Sequence, residues 1–145
     1  MNKEMQKFWV SQPAVWIKDD KCLILESVKR PDFWGLPGGR IDEGEDAKIA
    51  FARELKEELN INEFKNLGIV DYLVLYNNSS GDKLTAPICA IISLISSNED
   101  VKNNDLTEHS SFKWITRNQI QDYQYVWPHL DTVLSKAFDL CNKIK

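Results

Sequence analysis

A chain of 145 residues, with 43% apolar and 28% charged side chains, holds one domain's worth of material and enough to bury a hydrophobic core. Its net charge of −4, with Lys and Arg scattered rather than clustered, argues against a protein built mainly to grip nucleic acid non-specifically. Three cysteines (Cys22, Cys89 and Cys141), far apart and in no CxxC arrangement, argue against a disulfide framework or zinc site and for inert thiols.

The N-terminal stretch MNKEMQKFWVSQ lacks an apolar core of signal-peptide length. No apolar run approaches the ~20 residues of a membrane span, so the expectation is a cytoplasmic protein. Residues 13–18 (PAVWIK) and 22–28 (CLILESV) read as two strands around the polar turn Lys18 to Lys21. PDFWGLPGGRIDEGE, rich in Gly and Pro, is loop. From about Asp46 to Leu59 the pattern turns helical, with Phe51, Ala52, Leu55 and Leu59 on one stripe, acids from Asp42 to Asp46 at its start, and Asn60 as a left-handed cap.

Residues 65–76 and 84–96 read as long strands separated by the polar turn at 77–82. SFKWIT (111–116) is a short strand, with Trp114 and Phe112 predicted on one core-facing side, and a small helix follows at 117–122. Pro128 is placed to begin a final helix to about Asn142, burying Leu130, Val133, Leu134, Ala137, Phe138 and Cys141. Without internal repeat or linker, residues 1–145 read as a single domain of mixed α/β or α+β class.

Within RELKEELN, Glu54, Glu57 and Glu58 stand at i, i+3 and i+4, on one helical face. Like-charge pairs at that spacing each cost roughly 0.2–0.5 kcal/mol, and the helix C-terminus prefers cations. A solvated acidic face is the bland explanation, with Arg53 and Lys56 as partial neutralisers. A divalent cation would supply the missing charge instead, and hard carboxylate ligands suit Mg²⁺ or Mn²⁺.

The wider spacing decides. Gly39, Glu45, Arg53, Glu54, Leu55, Glu57, Glu58 and Ile61 fit G-x5-E-x7-R-E-U-x-E-E-x-G-U, where U is a bulky aliphatic residue, over 23 residues. This resembles the signature of the Nudix hydrolases, as does the flanking WGLPGGRIDEGE. One position departs: the final Gly is Asn60, the residue type most able to replace glycine at positive φ.

The resemblance implies an α/β/α sandwich with a central mixed sheet, and metal-dependent hydrolysis of a nucleoside diphosphate linked to another moiety. It makes Glu54, Glu57 and Glu58 the metal-ligating cluster, with a carbonyl of Gly38 or Gly39 as an additional ligand. Arg53 would orient that cluster, chiefly through Glu57, and Glu45 would hold the loop–helix geometry. A further acid from a later loop is expected at Glu108, with Asp105 and His109 as alternatives. Mg²⁺ is the implied cofactor, Mn²⁺ a substitute, and one of the glutamates the general base.

Candidate substrate contacts are Arg40, Trp34, Tyr76, Trp127 and His129, with Phe33, Tyr123 and Tyr125 as further aromatics for a base pocket. The last third is similar to MutT-like nucleoside triphosphate pyrophosphohydrolases. Where antimutator members carry a base-reading Asn, however, this chain offers Leu130 between His129 and Asp131, which weakens selectivity for an oxidised purine. The expected activity is therefore a nucleoside triphosphate pyrophosphohydrolase. Nucleotide-sugar, ADP-ribose or dinucleoside polyphosphate hydrolysis is the alternative, and a non-catalytic nucleotide sensor or an RNA 5′-end processor ranks lower. Dimers are common among such proteins, so a homodimer is compatible.

Overall fold

The computed structural model describes residues 4–78, 80–102 and 109–144. The strands are β1 (Trp9–Ser11), β2 (Ala14–Lys18), β3 (Lys21–Ser27), β4 (Phe33–Gly35), β5 (Lys65–Asn77), β6 (Lys83–Ser96), β7 (His109–Thr116) and β8 (Gln124–Tyr125). The helices are α1 (Ala47–Leu59) and α2 (Leu130–Ile144), with a 3-10 turn at Arg117–Asp122. Among the described residues no helix is long and apolar enough to cross a membrane.

Among the described residues these eight strands join one mixed sheet. The β2–β3 hairpin closes through Asp19 and Asp20, both at positive φ (52° and 60°), the left-handed pair whose twist matches that of flanking strands. β6 is the organising strand: β5 runs antiparallel along one side, while β1 and β2 lie parallel to it on the other. β3 carries β4 and β7, and β8 extends β4 in parallel.

Successive residues of a strand face opposite sides, and this sheet buries both. Ala14, Trp16, Leu23 and Leu25 pack under α1 with Phe51, Leu55 and Leu59. Val15, Ile17, Cys22 and Ile24 pack under α2 with Val133, Leu134, Ala137 and Phe138. A strand covered on both faces reads as an uninterrupted apolar run, which is why AVWI and CLIL show no alternation in the sequence. The expected α/β/α sandwich is what the chain forms.

The caps of α1 are where the sequence puts them. Asp46 Oδ1 accepts from the Lys48 and Ile49 N–H groups at 2.9 and 3.2 Å, and Asn60 closes the helix at φ 57°, ψ 33°. Asp46→Ala should therefore cost about 1 kcal/mol, read as a melting midpoint lower by roughly 3 °C. An unchanged midpoint would show the cap to be energetically idle.

Other expectations need correction. Ala52 faces solvent and Ala50 is buried in its place, because the stripe under the sheet runs Ala50, Phe51, Leu55, Glu58, Leu59. Phe112 is exposed and Trp114 only half-buried, edge-on to Trp16 at 5.0 Å, while Ile115 fills the core on the opposite face. α2 begins at Leu130 rather than Pro128, because His129 adopts φ 68° and is not helical. β1, β4 and β8, two or three residues each, carry no readable pattern and exist through pairing with distant strands.

Candidate active site

The loop between β4 and α1 is laced to the segment joining β1 and β2. Gln12 N–H donates to Gly39 O at 2.9 Å, Ala14 N–H to Pro37 O at 2.8 Å and Ile41 N–H to Val10 O at 2.9 Å. This close approach explains the glycine pair. Gly38 has φ 129°, and a Cβ there would collide with the Gln12 carbonyl. At Gly39 an added Cβ would fall on the Glu54 carboxylate.

Glu58 is a carboxylate only 2% exposed, on the face of α1 that also buries Leu55 and Leu59. A charge so placed demands donors. Gly38 N–H donates to its Oε2 at 3.0 Å, and His109 Nε2 stands 3.9 Å from the same oxygen. Glu54 lies beside it. Burial, reinforced by the neighbouring Glu58 charge, lifts the Glu54 carboxyl above the usual carboxylate range against the pull of Arg53.

Arg53 ties the surrounding acids together. Its Nε and Nη2 donate to Glu45 as a fork at 2.7 and 2.9 Å, while Nη1 donates to Glu54 Oε1 and Glu57 Oε2, both at 3.1 Å. Nη2 also reaches Asp42 at 3.4 Å. The principal partner is therefore Glu45 rather than the expected Glu57. A bidentate guanidinium–carboxylate pair is both stronger and more directional than a single contact. That fork holds the Glu45 carboxyl below its ordinary range, and Glu45 in turn accepts from Asp42 N–H at 3.1 Å, closing the loop onto the helix.

Of the three glutamates, Glu54 and Glu58 face one cleft of about 480 Å³, with Gly38 and Gly39 beside them. Glu57 is turned to Arg53 and is more than half exposed. Among the described residues no three His, Cys, Asp or Glu side chains stand together as a metal-binding group. Two facing carboxylates form the core of this site, and the third stands one step aside.

The rest of the cleft is mixed. Lys29 and Arg40 bring positive charge, and the Arg40 guanidinium lies 4.8 Å over the Trp9 ring, which fixes its direction. Leu36, Val126, Trp127, Leu84 and Ile88 give apolar wall. Arg40 and Trp127, two of the expected substrate contacts, line this cleft. Trp34 does not: it is 6% exposed in the α2-side core, edge-on to Tyr123 at 5.6 Å. Tyr76 projects from β5 at 57% exposure and His129 is exposed beside α2, and neither lines the cleft. Glu108 and Asp105 lie outside the described residues, whereas His109, the weaker alternative, lines the cleft. Sequence reasoning missed Lys29, Asn78, Leu84 and Ile88. Only Lys29, in a basic pair before the Gly- and Pro-rich loop, left a local signal.

A NUDIX domain family model matches residues 9–135. Nudix hydrolase 26, chloroplastic, of Arabidopsis thaliana is 40% identical over 57 residues, 39% of this chain and 26% of that protein. The RNA pyrophosphohydrolase of Pelagibacter ubique is 35% identical over 60 residues, 41% of this chain and 38% of that protein. This chain thus matches well under half the length of either relative. The crystal structure of the MutT protein from Methanosarcina mazei Go1 superposes with a TM-score of 0.73, at 22% identity, over 97% of this chain and 99% of that one, a likeness of fold. The glycine pair seated against Glu54 and Glu58, and the Arg53–Glu45 fork behind them, lie inside a family match that runs almost the length of the fold, and the chain belongs to the NUDIX domain family.

Proposed function

We propose that this protein is a divalent-metal-dependent hydrolase of nucleoside diphosphate-linked substrates, and specifically a nucleoside triphosphate pyrophosphohydrolase. The observation that carries the reading is the convergence of two carboxylates, one of them 98% shielded, on a cleft whose other charged lining includes Lys29 and Arg40. Carboxylates alone would repel a polyphosphate, and a cation would offset both the burial of Glu54 and its repulsion by Glu58. Hard oxygen donors of this kind fit Mg²⁺, with Mn²⁺ as a substitute.

Glu54 and Glu58 would hold the ion with a carbonyl of the glycine pair, and Glu57 would join them only by turning away from Arg53. Gly38 is the better donor of the two, because Gly39 O already accepts from Gln12. When bound, such an ion would screen the phosphates and acidify a water. Glu54, facing the cleft beside Glu58, takes the proton from the attacking water as general base. Arg53 and Glu45 keep Glu54 and the loop in register, and Lys29 and Arg40 bind phosphate oxygens. Trp127 offers an indole to the ligand's ring system.

The test is a hydrolysis screen with Mg²⁺ across nucleoside triphosphates, nucleotide sugars, ADP-ribose and dinucleoside polyphosphates, resolving phosphate from pyrophosphate. The expected products from a triphosphate are a monophosphate and pyrophosphate, abolished by chelator and restored by Mg²⁺ or Mn²⁺. Undiminished turnover in excess chelator would overturn the metal-dependent reading. Preferential cleavage of one of the other classes would move the assignment to that class.

A further inference from the structure

One cleft residue has its chemistry dictated by its own turn. Asn78 opens the β5–β6 connection: its N–H donates to Asp82 O at 2.7 Å, and its carbonyl accepts from Gly81 N–H at 3.0 Å. Its side-chain Oδ1 accepts from the N–H groups of both Ser80 and Asp82, each at 2.9 Å. Two backbone donors on one atom settle which end of the carboxamide is oxygen, since a flipped amide would set NH₂ against N–H. What remains for a ligand is Nδ2, a donor with no acceptor among the described residues.

The hairpin is also bent toward the cleft. Leu75 pairs with Ile88 and Asn77 with Lys83, so Leu84, Thr85, Ala86 and Pro87 stand opposite Tyr76 alone. Extra residues on one strand kink it and re-aim its side chains, and Pro87 removes a ladder donor at the same place. In and around this bulge the hairpin gives the cleft Asn78, Leu84 and Ile88, a neutral amide and two apolar side chains, with no cation. Positive charge enters from Lys29 and Arg40, and the glycine pair and α1 hold the carboxylates. Phosphates belong with those charges. The Asn78, Leu84 and Ile88 side chains, apolar but for one amide, fit a flat heterocycle.

We propose that Asn78 reads the base of the bound nucleotide by donating from Nδ2 to a keto oxygen. A donor meets the 6-oxo group of guanine or hypoxanthine but faces another donor at the 6-amino group of adenine. The protein therefore selects keto-edged over amino-edged bases, an inference that rests on the nucleotide reading above.

Inosine and adenosine triphosphates are the probes, since they share a purine skeleton and differ at the 6-position. The wild type should favour the inosine nucleotide in kcat/KM by roughly tenfold or more. Asn78→Asp keeps an oxygen for the two turn donors and replaces the NH₂ by an acceptor, so the preference should fall to unity or reverse. Asn78→Ser can still cap the turn but removes the donor, giving a ratio near one, and unchanged melting midpoints show that both variants fold. Equal use of the two nucleotides by the wild type, or a folded Asn78→Asp that keeps the wild-type ratio, overturns the role of Asn78 alone. A wild type that neither binds nor hydrolyses either nucleotide overturns the nucleotide reading, and this inference with it.

Discussion

Glu58→Gln should lower Mg²⁺-dependent turnover by about two to four orders of magnitude while leaving the protein folded. The size follows from removing a carboxylate that is both almost fully shielded and aimed at the cleft, and electrostatic groups preorganised in such a place carry losses of roughly 10²–10³ or more. Folding should survive because the Gln carboxamide oxygen can still accept from Gly38 N–H. Stability without metal should be equal or higher, since the substitution removes a charge that repels Glu54. The stabilisation that Mg²⁺ confers on the wild type should shrink in the variant, because an ion that binds only the native state raises the melting midpoint. Two measurements decide: kcat with and without chelator, and the midpoint titrated with MgCl₂. Wild-type turnover in a folded Glu58→Gln would remove the site from the chemistry.

Gly39→Ala is the second large effect, and its contrast with Gly38→Ala gives it meaning. At position 39 the added methyl meets only the tip of Glu54, a flexible side chain that can swing aside. The fold should lose little, within about 1 kcal/mol. The carboxylate, however, must leave its place between Arg53 and the cleft, and misplacing a catalytic group by about 1 Å costs on the order of 10²-fold in rate. At position 38 the methyl meets the backbone of Gln12 and Pro13, and φ 129° is a conformation that side chains resist, so the loss falls on folding. Gly39→Ala should thus be folded and slow, Gly38→Ala unstable. Equal midpoints and equal rates for the two would refute the packing account of this loop.

Much of α1 and its surroundings was legible because the signals are local. Asp46 caps with its own side chain, Asn60 tolerates a left-handed turn by its own chemistry, and the 3.6-residue period needs no partner to be read. The spacing from Gly39 through Glu58 carried the site in the same way, because one helical face and the loop before it contain the acids and the glycines. The role of Arg53 was only partly legible. The family resemblance pointed to Glu57 four residues on, yet the bidentate bond goes to Glu45, eight residues back, across a loop whose path the sequence does not state.

The sequence by itself determined the family signature, the helix and its caps, the long strands, and the acids of the proposed site. Tertiary structure alone decided which aromatics are wall and which are core: Trp127 lines the cleft while Trp34 is buried under α2, though both sit in equally aromatic, proline-bearing stretches. It also decided that a hairpin tip read as a plain polar turn would carry Asn78 into the cleft, through a bulge at Pro87. The physical reason is the same in each case. Periodicity and turn chemistry say that a face is covered or a chain reverses, and both arise within a few bonds. What covers the face, and where the reversal points, follow from pairing and packing between residues dozens of positions apart.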